Sequence, residues 1–344
     1  MPEVQTVTGL IPVENLGITL MHEHIFVDRR HLWKKPQEVE DSFAYAPVSL
    51  SIVNELKHTP YGNLDNNHYT DLEESSQELD YFKSEGGGSV VDVTIPGIGR
   101  DPEKLKQVSE NTELPVIMGC GYYLEPTFPP GVKEASKEQI RDWILQDIYE
   151  GVGPEKIKAG IIGEIGISPY KTAAEVKVLR GAAMAQRESG RVLTIHMPGW
   201  ERYGHEVLDI VEEEGGDIDL VILDHMNPSH EDISYQTSLA ERGAYLEYDM
   251  IGIELLFPEG QSPSDEQSAQ AICELLDRGF EKSLLLSQDV FLKSLLRKYG
   301  GGGFSHLLRH FVPRLKRMGV SEKEIHTMLE NNPQQLFSKA SVKV

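Results

Sequence analysis

A (β/α)8 barrel is the fold that the sequence predicts, and two observations support it. Eight short, apolar and β-branched runs have the character of strands that are buried on both faces. Segments with helical periodicity and charged faces lie between most of these runs. Strand and helix alternating eight times are typical of this TIM barrel, and one barrel domain accommodates 344 residues. The predicted strands are residues 17–25, 88–95, 114–122, 157–165, 191–197, 220–226, 243–250 and 283–290.

A doubly wound open sheet is the alternative fold. It would be favoured by a glycine-rich phosphate-binding motif directly after the first strand, and the sequence has none there. Two glycine runs occur elsewhere, Gly86–Gly88 and Gly300–Gly303, and neither continues into Gly-Lys-Ser/Thr. A P-loop is therefore excluded, and the barrel remains the preferred fold.

Helical periodicity defines the other elements of this single predicted domain, residues 1–344. The predicted helices are Leu72–Lys83, Pro102–Glu110, Lys137–Tyr149, Ala173–Glu188, His205–Glu214, Glu231–Arg242, Asp265–Arg278, Ser305–Met318 and Ser321–Asn331. In the last of them, Ser321 and Glu324 have the spacing of a capping box. Residues 1–16 are expected to form a hairpin that caps the barrel, and residues 303–337 the C-terminal helices. Residues 27–68 form a long insertion after the first strand, which either shapes a binding face or is a structural lid.

The composition excludes several classes of partner. The net charge of −22 argues against nucleic acid and against anionic membranes. There is no run of about 18 apolar residues, and the N-terminus lacks the basic and apolar regions of a secretory signal. The two cysteines, Cys120 and Cys273, are far apart and make no disulfide framework. We therefore expect a small-molecule partner, and a cytoplasmic location.

The ends of the predicted strands carry metal-binding side chains. Side chains alternate along a strand, so His22 and His24 of the first strand share one face and can chelate a divalent metal together. The carboxyl ends of barrel strands converge on one face, where the chemistry of such folds occurs. Four further strands end in a carboxylate or an imidazole on this face: Glu164, His196, His225 and Asp289.

This set of side chains fits a binuclear metal site. Two divalent ions about 3.5–4 Å apart need a bridging anion, and Glu164 is the predicted bridge. His22, His24 and Asp289 would hold one ion, and His196 and His225 the other. Lys158, as a carbamate, is the competing bridge, but it lies roughly 20 Å along the same strand from Glu164 at about 3.3 Å per residue. Glu164 is therefore preferred.

The predicted chemistry is hydrolysis. A water shared by both ions would lose a proton near neutral pH and attack the substrate as the bridging hydroxide. Asp289 would take the proton and pass it to the leaving group. Zinc is the first candidate metal, with manganese, cobalt or iron as alternatives. A metal-stabilised scaffold without activity is disfavoured, because structural zinc sites are usually closed, rich in thiolates and single.

Five motifs, spread over nearly the whole chain, carry a family resemblance. They are Thr19-Leu-Met-His22-Glu23-His24, Ala159-Gly-Ile-Ile-Gly-Glu164-Ile-Gly166, Thr194-Ile-His196, Leu223-Asp-His225 and Ser287-Gln-Asp289. They resemble the phosphotriesterase family of the amidohydrolase superfamily. The resemblance implies a more buried ion on His22, His24 and Asp289 and a more exposed ion on the other two histidines. It is also compatible with a homodimer.

The predicted bridging residue differs from that of the namesake phosphotriesterases. The resemblance implies a carboxylated lysine at this position, where this chain has Gly163-Glu164. The glutamate is similar to that of the phosphotriesterase-related and phosphotriesterase-homology branch, which disfavours organophosphate hydrolysis. In the lactonases of the family, a tyrosine after strand three reaches the substrate oxygen, and Tyr123 matches it. The first expectation is therefore hydrolysis of carboxylic esters, lactones in particular, with a phosphoester or an N-acyl amide as the alternative.

Other polar residues near strand ends are assigned lesser roles. Asp224 is expected to face away from the barrel interior. Tyr248 and Asp249 end strand seven, where they can face the substrate. Arg202, with Tyr203 and His205 nearby, follows strand five, where it could bind an anionic group or simply be solvated.

Overall fold

Eight parallel strands form the central sheet, in the order in which they occur along the chain. The computed structural model describes residues 1–340. The strands are β1 (Thr19–Glu23), β2 (Ser89–Asp92), β3 (Val116–Cys120), β4 (Ile161–Gly166), β5 (Leu193–His196), β6 (Val221–Leu223), β7 (Tyr245–Tyr248) and β8 (Leu284–Leu286). Each lies within one of the predicted runs or, at β4, one residue beyond it. The sheet curls into a nearly closed barrel, so the predicted fold class is confirmed.

Glu23 joins the last strand to the first. Its buried carboxylate accepts hydrogen bonds from the Ser287 hydroxyl (2.8 Å), the Gln288 N–H (2.9 Å) and the Val290 N–H (3.0 Å). The Asp289 N–H donates to the His22 carbonyl across the same seam, at 3.2 Å. Side-chain and loop contacts therefore close the barrel where the regular strand ladder does not continue.

Helices surround the sheet between successive strands. They are α1 (Leu72–Ser84), α2 (Pro102–Thr112), α3 (Lys137–Tyr149), α4 (Ala173–Ser189), α5 (Gly204–Glu213), α6 (Ile233–Ala240) and α7 (Asp265–Asp277). The predicted helix limits agree closely with these ranges. Serine or threonine N-caps begin α3, α4 and α7, each paired with a glutamine or glutamate in a capping box.

The C-terminal region contains shorter helices than the periodicity predicts. The predicted helix Ser305–Met318 is divided into a 3-10 turn (Gly303–Ser305), a π-helical turn (Leu307–Phe311) and α8 (Val312–Arg317). The next is divided into α9 (Glu322–His326), a π-helical turn (Thr327–Asn331) and α10 (Asn332–Lys339). Each π-helical turn ends just before a proline, which has no N–H and crowds the preceding turn, so the helix widens there. The capping box of Ser321 and Glu324 is present as predicted.

The segments outside the barrel pack on its two ends. The strands Glu3–Thr6 and Gly9–Pro12 form the expected hairpin, and Val4 contributes to an apolar core at the N-terminal end of the barrel. The insertion contains two short helices, Asp41–Ala44 and Val53–His58. Among residues 1–340, no helix combines the length and the apolarity that crossing a bilayer requires.

Both ends of the insertion are fixed beside the first strand. Val27–Asp28 pairs antiparallel with His68–Tyr69. The Tyr69 hydroxyl lies 2.7 Å from the carbonyl oxygen of His24 and also contacts that of Val290. The insertion is therefore anchored to the segments that follow both β1 and β8.

Because the Glu23 carboxylate joins the last strand to the first, truncating this side chain should lower the stability of the barrel. Glu23→Ala would leave the Gln288 and Val290 N–H groups buried without an acceptor, whereas the Ser287 hydroxyl can still donate to the His22 carbonyl at 2.9 Å. At about 1 kcal/mol or more for each N–H group, the free energy of unfolding should fall by about 2 kcal/mol. Urea denaturation followed by circular dichroism measures this change.

The matched control for this substitution is Glu110→Ala on the exposed face of α2, which should change the unfolding midpoint little. Equal midpoints for the two variants would contradict the role of Glu23 in closing the barrel.

Candidate metal centre

The structure brings the six predicted ligand side chains together at the C-terminal end of the barrel. His22 lies in β1 with His24 just after it, Glu164 in β4 and His196 at the end of β5, whereas His225 and Asp289 follow β6 and β8. All are buried except His196, whose side chain is 18% exposed. Potential metal ligands from positions 22 to 289 thus lie close together, as their positions at the ends of the strands predict.

Glu164 lies at the middle of this cluster. Its Oε2 is 3.0 Å from His196 Nδ1, 3.8 Å from His22 Nε2 and 3.9 Å from His225 Nε2. Its Oε1 is 3.3 Å from His24 Nε2. All four imidazoles therefore lie within 4 Å of this one carboxylate, which suits a ligand shared between two ions.

Asp289 completes one side of the cluster. Its Oδ1 is 3.3 Å from His24 Nε2 and 3.8 Å from His22 Nε2. Three overlapping groups among the six side chains are close enough to hold an ion: His22 with His24 and Glu164, His22 with His225 and Asp289, and Glu164 with His196 and His225. His22 Nε2 and Asp289 Oδ1 are buried and have no hydrogen-bond partner in the described chain. Orphaned donor atoms of this kind fit metal ions of the zinc type.

Neighbouring polar groups orient the imidazoles. The carboxylate of Asp249 lies 2.9 Å from His225 Nδ1 and accepts the backbone N–H of His225 at 2.9 Å. Thr94 Oγ1 lies 2.9 Å from His24 Nδ1. In both rings the contact leaves Nε2 aimed at Glu164. Such partners fix the ring orientation of metal-binding histidines.

The backbone itself is unusual at two of the six residues. His225 and Asp289 have φ of 55° and 46°, in the left-handed region that residues with a Cβ rarely adopt. Strained backbone of this kind persists where the surrounding structure imposes it, and it clusters at functional sites. Each turn re-aims a side chain into the cluster just after its strand has ended.

The position of Asp224 differs from the expectation. Its Oδ2 lies 3.5 Å from His22 Nδ1, and its Oδ1 accepts the Thr194 hydroxyl, so it faces the interior. The expectation assumed strand alternation through residue 225, whereas β6 ends at Leu223 and the left-handed His225 breaks the alternation.

The other lesser assignments are also resolved. Tyr248 is fully buried, and its hydroxyl donates to Gln236 Oε1 (2.6 Å) instead of facing a substrate. Arg202 contacts Asp232 and nearby carbonyls, outside the residues that line the central cavity. Lys158 is exposed and also outside that cavity.

A cavity of about 290 Å³ opens above the cluster. The Tyr123 hydroxyl lies in it, 3.3 Å from His196 Nε2. Burial raises the pKa of Tyr123 well above its usual value, and Glu164 raises it further, so the phenol is a neutral donor. The cavity lining also includes residues that the strand ends did not indicate, among them Arg29, Tyr61, Trp200, Phe257, Glu259 and Phe291. All lie in the connections that follow barrel strands, and that position was the one signal by which they could have been found.

Comparison with known proteins places the chain in a family. A sequence model described as the Phosphotriesterase family matches residues 2–337. The chain belongs to the phosphotriesterase family. It is the family that the five sequence motifs resemble. Proteins of this family depend on a binuclear metal centre. The chain is therefore a metal-dependent hydrolase, and the clustered imidazoles and carboxylates are groups that could hold its metals.

Individual relatives span the chain almost completely. A phosphotriesterase-related protein of Nematostella vectensis is 36% identical over 96% of both chains. An N-acetyltaurine hydrolase of Dictyostelium discoideum is 33% identical over 98% of both. A crystal structure of a resiniferatoxin-binding protein from Rhodobacter sphaeroides matches with a TM-score of 0.96 and 45% identity, covering 98% of this chain and 95% of that one.

Metal affinity is expected to rise with pH. Burial lowers the pKa of His24 and His225, but nearby carboxylates outweigh this effect. Asp289 and Glu164 raise the pKa of His24, and Asp249 raises that of His225. Both pKa values are raised to about 9 in the metal-free protein. An imidazole must lose its proton to bind a metal, so protons compete below pH 9. For each imidazole that must lose a proton, zinc affinity should fall about tenfold per pH unit as the pH is lowered from 8 to 6. Competition with a chromophoric chelator measures this affinity.

Asp249→Asn tests the cause of this dependence. It removes the carboxylate that raises the pKa of His225, so the dependence of zinc affinity on pH should become shallower. It should also weaken binding about 10–100-fold at pH 8, because the imidazole loses its orienting partner. A zinc affinity that does not change between pH 6 and pH 8 in the unmodified protein would contradict this account.

Proposed function

We propose that this protein is a binuclear metal-dependent hydrolase of carboxylic acid derivatives, with N-acyl amides as its first substrate class and lactones as the second. The observation that carries the proposal is the position of the Glu164 carboxylate within 4 Å of four imidazoles. The amide class is supported by the N-acetyltaurine hydrolase of Dictyostelium discoideum, which is similar to this chain over almost its whole length.

The proposed ligand roles are those expected from the strand ends, and the six side chains lie close enough together to support them. His22, His24 and Asp289 would hold one divalent ion, His196 and His225 the other, and Glu164 would bridge them. Zinc is the first candidate, because the ligands are imidazole and carboxylate, and manganese, cobalt and iron suit the same set. When bound, the ions would activate water and polarise the carbonyl of the substrate.

Asp289 is the residue proposed to move the proton. Its carboxylate is buried, lines the cavity and has an oxygen without a hydrogen-bond partner. Water adds its oxygen to the acyl carbon, and Asp289 takes the released proton. The bond from the acyl carbon to the leaving nitrogen or oxygen then breaks, and Asp289 returns the proton to that atom.

The cavity supports a small-molecule substrate. Its volume of about 290 Å³ and its aromatic lining suit a compact acyl compound. The free cysteines Cys120 and Cys273 fit the proposed cytoplasmic location. A homodimer is proposed on the family resemblance alone.

A substrate screen tests the proposed bond. Metal-loaded protein would be assayed with N-acetyltaurine and other N-acyl amino acids, lactones, aryl esters and a phosphotriester. We expect the highest kcat/KM for an N-acyl amide, with loss of activity on chelation. Hydrolysis confined to the phosphotriester would contradict the proposal.

Asp289→Asn tests the proton role. It should lower kcat about 10²–10⁴-fold, because the amide cannot accept the proton. The control is Asp277→Asn on the exposed end of α7, which should retain full activity. Metal content is measured in both variants, so that loss of an ion is distinguished from loss of proton transfer. Undiminished turnover by Asp289→Asn would remove the assignment.

Lactone hydrolysis is the second candidate because Tyr123 places a neutral hydroxyl beside His196, at the cavity wall. If this hydroxyl donates to a lactone oxygen, Tyr123→Phe should lower kcat/KM for lactones about tenfold, the value of one hydrogen bond, with little effect on thermal stability. Tyr122→Phe is the matched control, since Tyr122 packs outside this cavity against Trp143. Equal lactonase rates in the two variants would exclude this contact.

A further inference from the structure

Arg29 is a cation with no assigned role inside the cavity. Among the described residues that line the cavity, it is the one arginine or lysine. It follows the short strand Val27–Asp28, at the start of the insertion. Its guanidinium lies 5.5 Å from the ring centre of Tyr61 and 6.0 Å from that of Phe291.

The guanidinium has no counterion within salt-bridge distance. No carboxylate of residues 1–340 lies within 4.0 Å of it, and its Nε is buried without a hydrogen-bond partner. The neighbouring Arg30 shows the ordinary arrangement, because it is exposed and pairs with Asp28 at 2.8 and 2.9 Å. Burying a cation without a partner is costly, so an unpaired guanidinium facing a cavity needs an explanation.

The backbone holds Arg29 in place. The Arg29 N–H donates to the Asn67 carbonyl at 3.0 Å, and the Asp28 N–H donates to the Ile98 carbonyl at 3.0 Å. The Asn67 side chain in turn donates to the Asn63 carbonyl at 2.8 Å. The backbone of Arg29 is thus fixed, and the rings of Tyr61 and Phe291 flank its guanidinium, whose planar fork suits a carboxylate or a sulfonate.

The proposed ions change the electrostatics around Arg29. Burial lowers the pKa of Arg29, but the phenols of Tyr61 and Tyr123 and two carboxylates outweigh it and raise that pKa. The carboxylates are Glu164 and Asp289. Both belong to the proposed ligand set, where two divalent ions would supply four positive charges against their two negative ones. In the loaded protein these carboxylates no longer balance Arg29. Glu259 is the remaining carboxylate of the cavity lining and is exposed, so an anionic group that enters the cavity can supply the balancing negative charge.

We propose that Arg29 binds an anionic group of the substrate, a carboxylate or a sulfonate, while the scissile carbonyl lies at the metal centre. This inference rests on the proposed function and narrows it to acidic acyl compounds. The rings of Trp200, Phe257 and Phe291 would cover the apolar part of the substrate. Arg29 is thus a binding residue that selects substrates and not a member of the proton-transfer machinery.

Binding of unreactive ligands tests Arg29 without catalysis. Butane-1-sulfonate and pentanoate are titrated calorimetrically into zinc-loaded protein, with pentanamide as the neutral analogue. We expect the anions to bind, and Arg29→Met to weaken them about 10–100-fold, the value of a charged hydrogen bond. Arg29→Lys should give an intermediate loss, and Arg30→Met, the matched control, none. The stronger of the two anions identifies the preferred acid group.

Two results would overturn the inference. One is anion binding that survives Arg29→Met unchanged, because the anion would then be held by the metals. The other is the absence of anion binding in the unmodified protein. Thermal melting of each variant establishes that it is folded, and Arg29→Gln replaces Arg29→Met if the latter is not.

Kinetics separates this inference from the proposed function. N-acetyltaurine and N-acetyl-β-alanine are compared with neutral N-acetylethanolamine. Arg29→Met should raise KM for the two acids about 10–100-fold and leave the neutral amide unaffected. Equal losses for acidic and neutral amides would contradict anion binding. If no amide is hydrolysed by any form, the proposed amide chemistry fails, and the calorimetry still decides the role of Arg29.

Discussion

The contact between the Glu164 carboxylate and the imidazoles around it is the interaction on which the rest of the site depends. Burial in the apolar β4 raises the pKa of a carboxyl, but hydrogen bonds from His196 and His24 outweigh it and hold the pKa of Glu164 well below its usual value. The barrel makes this possible because parallel strands end on the same side, so residues far apart in sequence surround a single buried charge.

A second set of acids supports the first. Asp224 and Asp249 approach His22 Nδ1 at 3.5 and 3.6 Å, behind the proposed metal positions. Asp249 also orients His225. His22 and His225 are thus held between the inner carboxylate of Glu164 and outer carboxylates that contact their Nδ1 atoms. This layering gives the centre a rigid geometry before any ion binds.

Much of this arrangement could be predicted from the sequence. The strands are buried apolar runs, and polar residues at their ends, such as His196 and Asp289, stand out against them. The periodicity of apolar residues does not predict the direction of side chains that follow the end of a strand. The inward side chain of Asp224 depends on the left-handed turn at His225, and the position of Arg29 depends on a short ribbon formed by the ends of a long insertion. The widened C-terminal turns depend on prolines whose effect periodicity alone does not register.

The paired ends of the insertion have a consequence for how substrate preference can change. Val27–Asp28 and His68–Tyr69 lie side by side, so the chain leaves and rejoins the barrel at nearly the same point. The tip of the insertion can therefore change in length or sequence with little effect on the strands that carry the metal ligands. Asp65 and Asn66 are the exceptions, because they contact Lys293 and Ser294 after β8.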